Sequence, residues 1–182
     1  MSRVPLIDAT HTNDARGALL APIHAAFGST PAMFRAVANS PAALKSMWGS
    51  FGALGGGVLP AKLAEQIAVA VADRNACEYC LAAHTALGRK AGATADEMAA
   101  AQMGESADPK TAAALRFALK LVEHRGQVAD ADVQALRGVG FDDEAIVEIL
   151  AHVALNLFTN YVNVAFAVPV DFPAVPLRRG AR

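Results

Sequence analysis

Residues 60–92 read PAKLAEQIAVAVADRNACEYCLAAHTALGRKAG, and this stretch decides the architecture. Pro60 sets the start of a helix in which Leu63, Ile67, Ala70 and Val71 share one apolar face. The pattern stops at the polar triplet Asp73, Arg74 and Asn75, which reads as a turn. A second helix follows from about Cys77 to Ala91, with Gly92 as its C-terminal cap. Two helices joined by a short turn form an antiparallel hairpin, in which residues equidistant from the turn sit level. Glu65 and His84 are equidistant from the Arg74 to Asn75 step, so they should face one another.

On the second helix, Cys77, Cys80 and His84 are spaced by three and four residues and therefore form one stripe. The spacing predicts a chain of Glu65, His84, Cys80 and Cys77. Such a chain generates a thiolate, the nucleophilic form of cysteine, at neutral pH. The helix dipole stabilises an anion by about 0.3 to 1 kcal/mol, less than the ~1.36 kcal/mol of one pKa unit, so the imidazole is required as well. Glu65 would orient the ring and favour its protonation. A thiolate attacking a peroxide oxygen becomes a sulfenic acid, and a neighbouring thiol condenses with it to a disulfide. The CxxC spacing supplies that second thiol.

Outward from this hairpin the chain remains helical. Helices are expected over about 13–27, with Asn13 or Thr12 as N-cap, then 31–39 and 41–54, each opened by a proline after Ser or Thr. Beyond the hairpin they are expected over 94–103 with Thr94 as cap, 109–125, 130–138 and 142–167. No strand pattern is present. The expected fold is all-α, built around the antiparallel hairpin as a single domain over residues 1–182, with an extended arm (about 1–12) and a proline-rich tail (about 168–182). A weak internal echo aligns Glu65, Cys77, Cys80 and His84 with Glu144, Asn156, Thr159 and Asn163, and suggests that the second hairpin is scaffold.

Composition narrows the function. Sixteen Lys and Arg against seventeen Asp and Glu give a net charge of -1, which provides no basic field for nucleic acid. An apolar fraction of 54% exceeds the usual share of about 45 to 50%, so a homo-oligomer is expected. The opening residues lack an apolar segment and cleavage site, which points to the cytoplasm, where a close pair of cysteines serves redox or metal chemistry rather than a structural disulfide. Residues 149–170 are free of Asp, Glu, Lys and Arg and long enough to span a bilayer at ~20 residues, but His152, Asn156, Thr159 and Asn163 form a polar stripe on that helix, so a helix buried between neighbours, and no membrane partner, is expected.

The run Glu65, eleven residues, Cys77-Glu78-Tyr79-Cys80, three residues, His84 resembles the signature of the carboxymuconolactone decarboxylase and alkylhydroperoxidase D superfamily. The opening RVPLID, the helical order and the VDFP tail resemble its peroxidase-related branch. The resemblance implies an all-α protein assembled as trimers or hexamers, which reduces hydroperoxides without metal or organic cofactor. It assigns attack to Cys80, resolution and electron uptake to Cys77, and proton relay to Glu65 and His84. The implied reductant is a dihydrolipoyl or thioredoxin-like dithiol. One position departs from the pattern: the best-known branch has a second His where this chain has Tyr79. Other readings are a lactone decarboxylase-like lyase, a CxxC disulfide reductase, a zinc site made by Cys77, Cys80, His84 and Glu65, and a non-catalytic helical assembly. His11, His24, His124, Tyr79 and Trp48 are given no chemical role.

Overall fold

A computed structural model describes residues 1–8, 12 and 14–178, which places the expected Asn13 cap and His11 outside the described residues. The described chain contains nine α-helices and no strand. They are α1 (Ala15–Phe27), α2 (Ala32–Val37), α3 (Pro41–Gly55), α4 (Ala61–Arg74), α5 (Glu78–Lys90), α6 (Ala95–Gln102), α7 (Pro109–Glu123), α8 (Asp130–Gly138) and α9 (Asp143–Ala165).

The local chemistry of each start is visible. Ser40 accepts from the Ala43 amide and Asp108 from the Thr111 amide, each with proline in the first turn. Thr94 and Glu97 close a reciprocal capping box at α6. The first helix departs from expectation: its cap is Asp14, whose carboxylate accepts from the Arg16 amide, whereas Thr12 bonds back to the Asp8 carbonyl.

Helix α4 is the centre of the molecule. Leu63 and every residue from Gln66 to Asp73 are buried, and the helix packs against α5, α6, α7 and α9. A helix apolar on most of its circumference must be surrounded, and burying side chains such as Ile67 and Val71 contributes roughly 1.5–3 kcal/mol each. The α4–α5 hairpin forms as expected. Gly88 lets the two helices approach closely, because a Cβ there would lie 3.3 Å from Glu65 Cβ and against the end of Met98. Asp73 is not a solvated turn residue: it is 1% exposed and accepts from Gln102 Nε2 at 2.7 Å and from the Arg178 amide at 2.9 Å. The hairpin turn is thus tied to the C-terminal tail.

Helix α9 is long and apolar enough to cross a bilayer by length and composition, yet half of that stretch is buried inside the molecule. Its inner face packs on α4, α3, α7 and α5. The N-terminal arm runs alongside, with the Ile7 amide bonded to the Arg35 carbonyl and the Arg3 amide to the Phe166 carbonyl.

Candidate active site

Cys77, the expected first residue of the helix, lies just outside α5 and caps it, so the helix begins one residue later than expected. Its backbone is extended (φ -94°, ψ 90°), and its Sγ accepts the Cys80 amide at 3.3 Å. The extended conformation is imposed by the end of α4, where Ala76 adopts φ 52° and the Cys77 amide returns to the Ala72 carbonyl. Both sulfurs thus sit on the first turn of α5, where the helix dipole favours negative charge. Both are free thiols and both are buried.

The hairpin brings Glu65 and His84 together. Glu65 Oε2 and His84 Nδ1 are 2.7 Å apart, with the imidazole side chain 12% exposed. Burial pushes the His84 pKa down, but the charge and hydrogen bond of Glu65, helped by Cys80, outweigh it and raise the pKa above its ordinary value. With Nδ1 turned to Glu65, the ring acts on Cys80 through charge and shares with it the wall of one cavity.

Two residues of α9 complete the surroundings of Cys80. Asn163 Nδ2 donates to Cys80 Sγ at 3.2 Å, and Thr159 Oγ1 lies 3.9 Å from the same sulfur. Asn160, fully buried, bonds through its Oδ1 to Asn75 Nδ2 at 2.9 Å. Burial alone raises the Cys80 pKa. The contact with Cys77, the charge of His84 and the Asn163 and Asn160 amides reverse that and bring it to about 6. Cys77 moves the opposite way: proximity to Cys80 and burial hold its thiol protonated. The arrangement therefore favours the anion at Cys80 and the protonated thiol at Cys77.

The internal echo in the sequence suggests that Thr159 and Asn163 are scaffold. The structure places both against the sulfur, and the signal that could have found them was the polar stripe on an otherwise apolar helix. Tyr79, where the resemblance places a relay His, is buried and turned away from proton transfer. Its hydroxyl donates to Asp171 Oδ2 at 2.8 Å, and its ring meets Phe172 edge-on. Burial, then the Asp171 charge, raises its pKa and keeps it neutral. Asp171 also accepts the Ala32 amide at 2.6 Å, so the tail is pinned beside α2 and α5.

A cavity of about 40 Å³ reaches Cys80 and His84 between Phe34, Phe51, Thr159 and Phe172. Trp48 stands behind this wall, edge-on to Phe34 and stacked obliquely on Phe51. Among the described residues, no three His, Cys, Asp or Glu side chains are arranged to hold a metal ion. The four expected site residues are nonetheless drawn into one neighbourhood, with Glu65 engaged to His84 rather than free as a ligand.

Comparison with known proteins bears on the fold and the family. Residues 41–124 match the sequence profile of the carboxymuconolactone decarboxylase family. A peroxidase-related protein from Ralstonia eutropha JMP134, described as an alkylhydroperoxidase AhpD core, superposes with a TM-score of 0.81 at 28% identity, over 93% of this chain and 92% of that one. A peroxidase-related protein from Silicibacter sp. TM1040 gives 0.80 at 24% identity, over 92% and 91%. An alanine variant of the debrominase Bmp8, in complex with 2,3,4-tribromopyrrole, gives 0.77 at 19% identity over 94% of each chain, a likeness of fold. No curated protein is matched. With its helical order, its match to the carboxymuconolactone decarboxylase family profile over residues 41–124 and its Glu65, Cys77, Cys80, His84 constellation, the chain is similar to proteins of the alkylhydroperoxidase D and carboxymuconolactone decarboxylase superfamily.

Proposed function

We propose that the protein is a cytoplasmic thiol peroxidase that reduces hydroperoxides by cycling Cys77 and Cys80 between dithiol and disulfide. The observation that carries this reading is the asymmetry of the pair: Asn163 donates to Cys80 Sγ at 3.2 Å, whereas Cys77 Sγ caps the helix that holds Cys80. The Cys80 thiolate attacks the terminal peroxide oxygen and the O–O bond breaks. The departing alkoxide takes a proton from His84, which Glu65 keeps protonated. Cys77 then attacks the sulfenic sulfur, hydroxide leaves as water, and a disulfide forms. A dithiol such as a dihydrolipoyl or thioredoxin-like protein restores the pair, and no cofactor enters the cycle.

Homo-oligomerisation belongs to the same reading. Val147, Leu150 and Tyr161 are 66%, 50% and 61% exposed, and with Phe158 they line one outer face of α9 at helical spacing. A second copy would cover this face.

Intact mass after a brief peroxide exposure tests the function. The reduced protein should lose about two mass units, the two hydrogens lost on disulfide formation, and Cys80→Ser should abolish the change. If both thiols still titrate after exposure, the peroxidase reading is wrong. If a lactone substrate is turned over equally well by Cys80→Ser, the lyase reading replaces it.

A further inference from the structure

Cys80 is 2% exposed, and the cavity that borders it is the ring-lined one. A separate cleft of about 200 Å³ borders Cys77 but not Cys80, with Tyr79 as the wall between the two. The wall of the ring-lined cavity has two parts. Phe34 is held in a cluster of rings, with centroids 5.9 Å from Phe27, 5.7 Å from Trp48 and 5.8 Å from Phe51, and this side belongs to the packed helices. Phe172 closes the cavity from the C-terminal tail, where it is partly buried and meets Tyr79 edge-on at 5.7 Å.

The tail is fastened on both sides of Phe172. Before it, the Val168 amide returns to the Asn163 carbonyl at 3.0 Å, and Asp171 accepts from the Tyr79 hydroxyl and the Ala32 amide. After it, Gln102 Nε2 donates to the Pro176 carbonyl at 2.9 Å and the Arg178 amide donates to Asp73. A ring carried on a segment tied at both ends keeps its place, so its bulk limits what enters. The free volume is about 40 Å³. One water needs ~10–15 Å³ on this measure, which leaves room for about two or three non-hydrogen atoms and none for a ring or a branched carbon. Aromatic walls would suit a larger apolar ligand if there were space, so volume and not polarity decides.

We infer that the site selects hydrogen peroxide over branched and aromatic hydroperoxides by size, and that Phe172 sets the limit. This rests on the thiol peroxidase reading for the identity of the oxidant. In a tertiary hydroperoxide the branched carbon is attached directly to the second oxygen, so its bulk cannot stay in solvent while the terminal oxygen touches the buried Cys80 sulfur. Hydrogen peroxide carries only a hydrogen at that position. The Cys80 thiolate attacks one oxygen, the O–O bond breaks, and the departing hydroxide takes a proton from His84 and leaves as water. Sulfur is oxidised by two electrons to the sulfenic acid as the peroxide is reduced. Phe172 touches none of these reacting atoms in the mechanism and acts on specificity alone.

Oxidants of graded bulk test the limit. Reduced protein is exposed to hydrogen peroxide, tert-butyl hydroperoxide or cumene hydroperoxide, quenched rapidly and measured by intact mass, with each rate divided by that of free cysteine and the same reagent. The wild type should favour hydrogen peroxide over cumene hydroperoxide by at least about 10²-fold. Phe172→Ala should reduce that preference at least about ten-fold while holding the hydrogen peroxide rate within about three-fold. Phe172→Leu, which keeps an apolar contact beside Tyr79, should fall between the two and still decides the matter if the alanine variant does not fold. A wild type without the preference, or a preference unchanged in the variants, would overturn the proposal. Alkylation separates the size limit from the peroxidase reading. In a Cys77→Ser background, iodoacetamide should modify Cys80 faster than N-phenylmaleimide, each relative to free cysteine, and Phe172→Ala should bring the two rates together. Failure of hydrogen peroxide to oxidise the wild type would sink the peroxidase reading, and the alkylation ratio would then decide the size limit by itself.

Discussion

Asn163 Nδ2 stands 3.2 Å from Cys80 Sγ, although the two residues belong to α9 and α5 and are separated by eighty-three positions. The amide is 4% exposed, so its hydrogen bond to the sulfur competes with little water. Replacing it by leucine, similar in bulk, should raise the Cys80 pKa by about one unit, since a hydrogen bond to a charged group is worth roughly 1.5–3 kcal/mol and part of it is regained by relaxation. Ultraviolet absorbance of the thiolate against pH, in a Cys77→Ser background, measures the shift. An unmoved titration would remove Asn163 from thiolate stabilisation.

Activity should depend on pH in two directions. Cys80 has its pKa lowered to about 6, so its thiolate is lost as pH falls through that value, and peroxide consumption should rise with pH across it. His84 has its pKa raised by Glu65 against the pull of burial, so its acid form survives above the ordinary imidazole range and is lost only at higher pH. The profile of the peroxide half-reaction should therefore be a bell that is broad around neutrality.

Glu65→Gln keeps a hydrogen-bonding group 2.7 Å from His84 but removes the charge that holds the ring protonated. The descending limb of the bell should move to lower pH, and the peroxide rate at neutral pH should fall about ten-fold. His84→Ala should cost about 10²-fold, the usual worth of a general acid. Nuclear magnetic resonance titration of His84 distinguishes the two, because a purely structural Glu65 would leave the ring's pKa in place in the glutamine variant.

Asp171 joins three segments at one carboxylate, accepting from the Ala32 amide at 2.6 Å and the Tyr79 hydroxyl at 2.8 Å. Asp171→Ala should destabilise the protein by about 2–4 kcal/mol in urea unfolding, because two buried donors lose their partner. Tyr79→Phe leaves Ala32 capped and should cost about half of that, around 1–2 kcal/mol. Similar losses in both variants would mean that the α2 cap contributes little.

Leu150→Lys combined with Tyr161→Glu places charge on the exposed face of α9 without touching its inner face. Sedimentation velocity should show a smaller assembly than the wild type, with thiol content and helicity unchanged. An unchanged sedimentation coefficient would place the interface elsewhere.

Much of this architecture was legible in the residues. Helix starts carry their own caps and prolines, at Ser40, Thr94, Asp108 and Asp142, and these fall where local chemistry predicts. The pairing of Glu65 with His84 was legible too, because a hairpin with a short turn makes level positions a matter of counting. Less visible were the ends of α4 and α9, where Ala76 and Ala167 adopt positive φ without the glycine that usually announces such a turn. The exact place of Cys77 depended on that turn. Asp73 reads differently from its sequence as well: its carboxylate suggests solvent, whereas the Gln102 side chain and the Arg178 amide of the returning tail make its burial tolerable.

Sequence by itself determined the helical class, the hairpin and the alignment of Glu65, His84, Cys80 and Cys77, because each rests on contacts between residues near in the chain. Tertiary structure decided which sulfur the surroundings favour as the anion and which cavity each sulfur meets. Those outcomes depend on Asn163 and Thr159 arriving from α9 and on Asp171 and Phe172 arriving from the tail. The physical reason is that a thiolate's stability is set by the dipoles and burial around it, which here come from segments whose meeting is governed by packing of the whole core around α4.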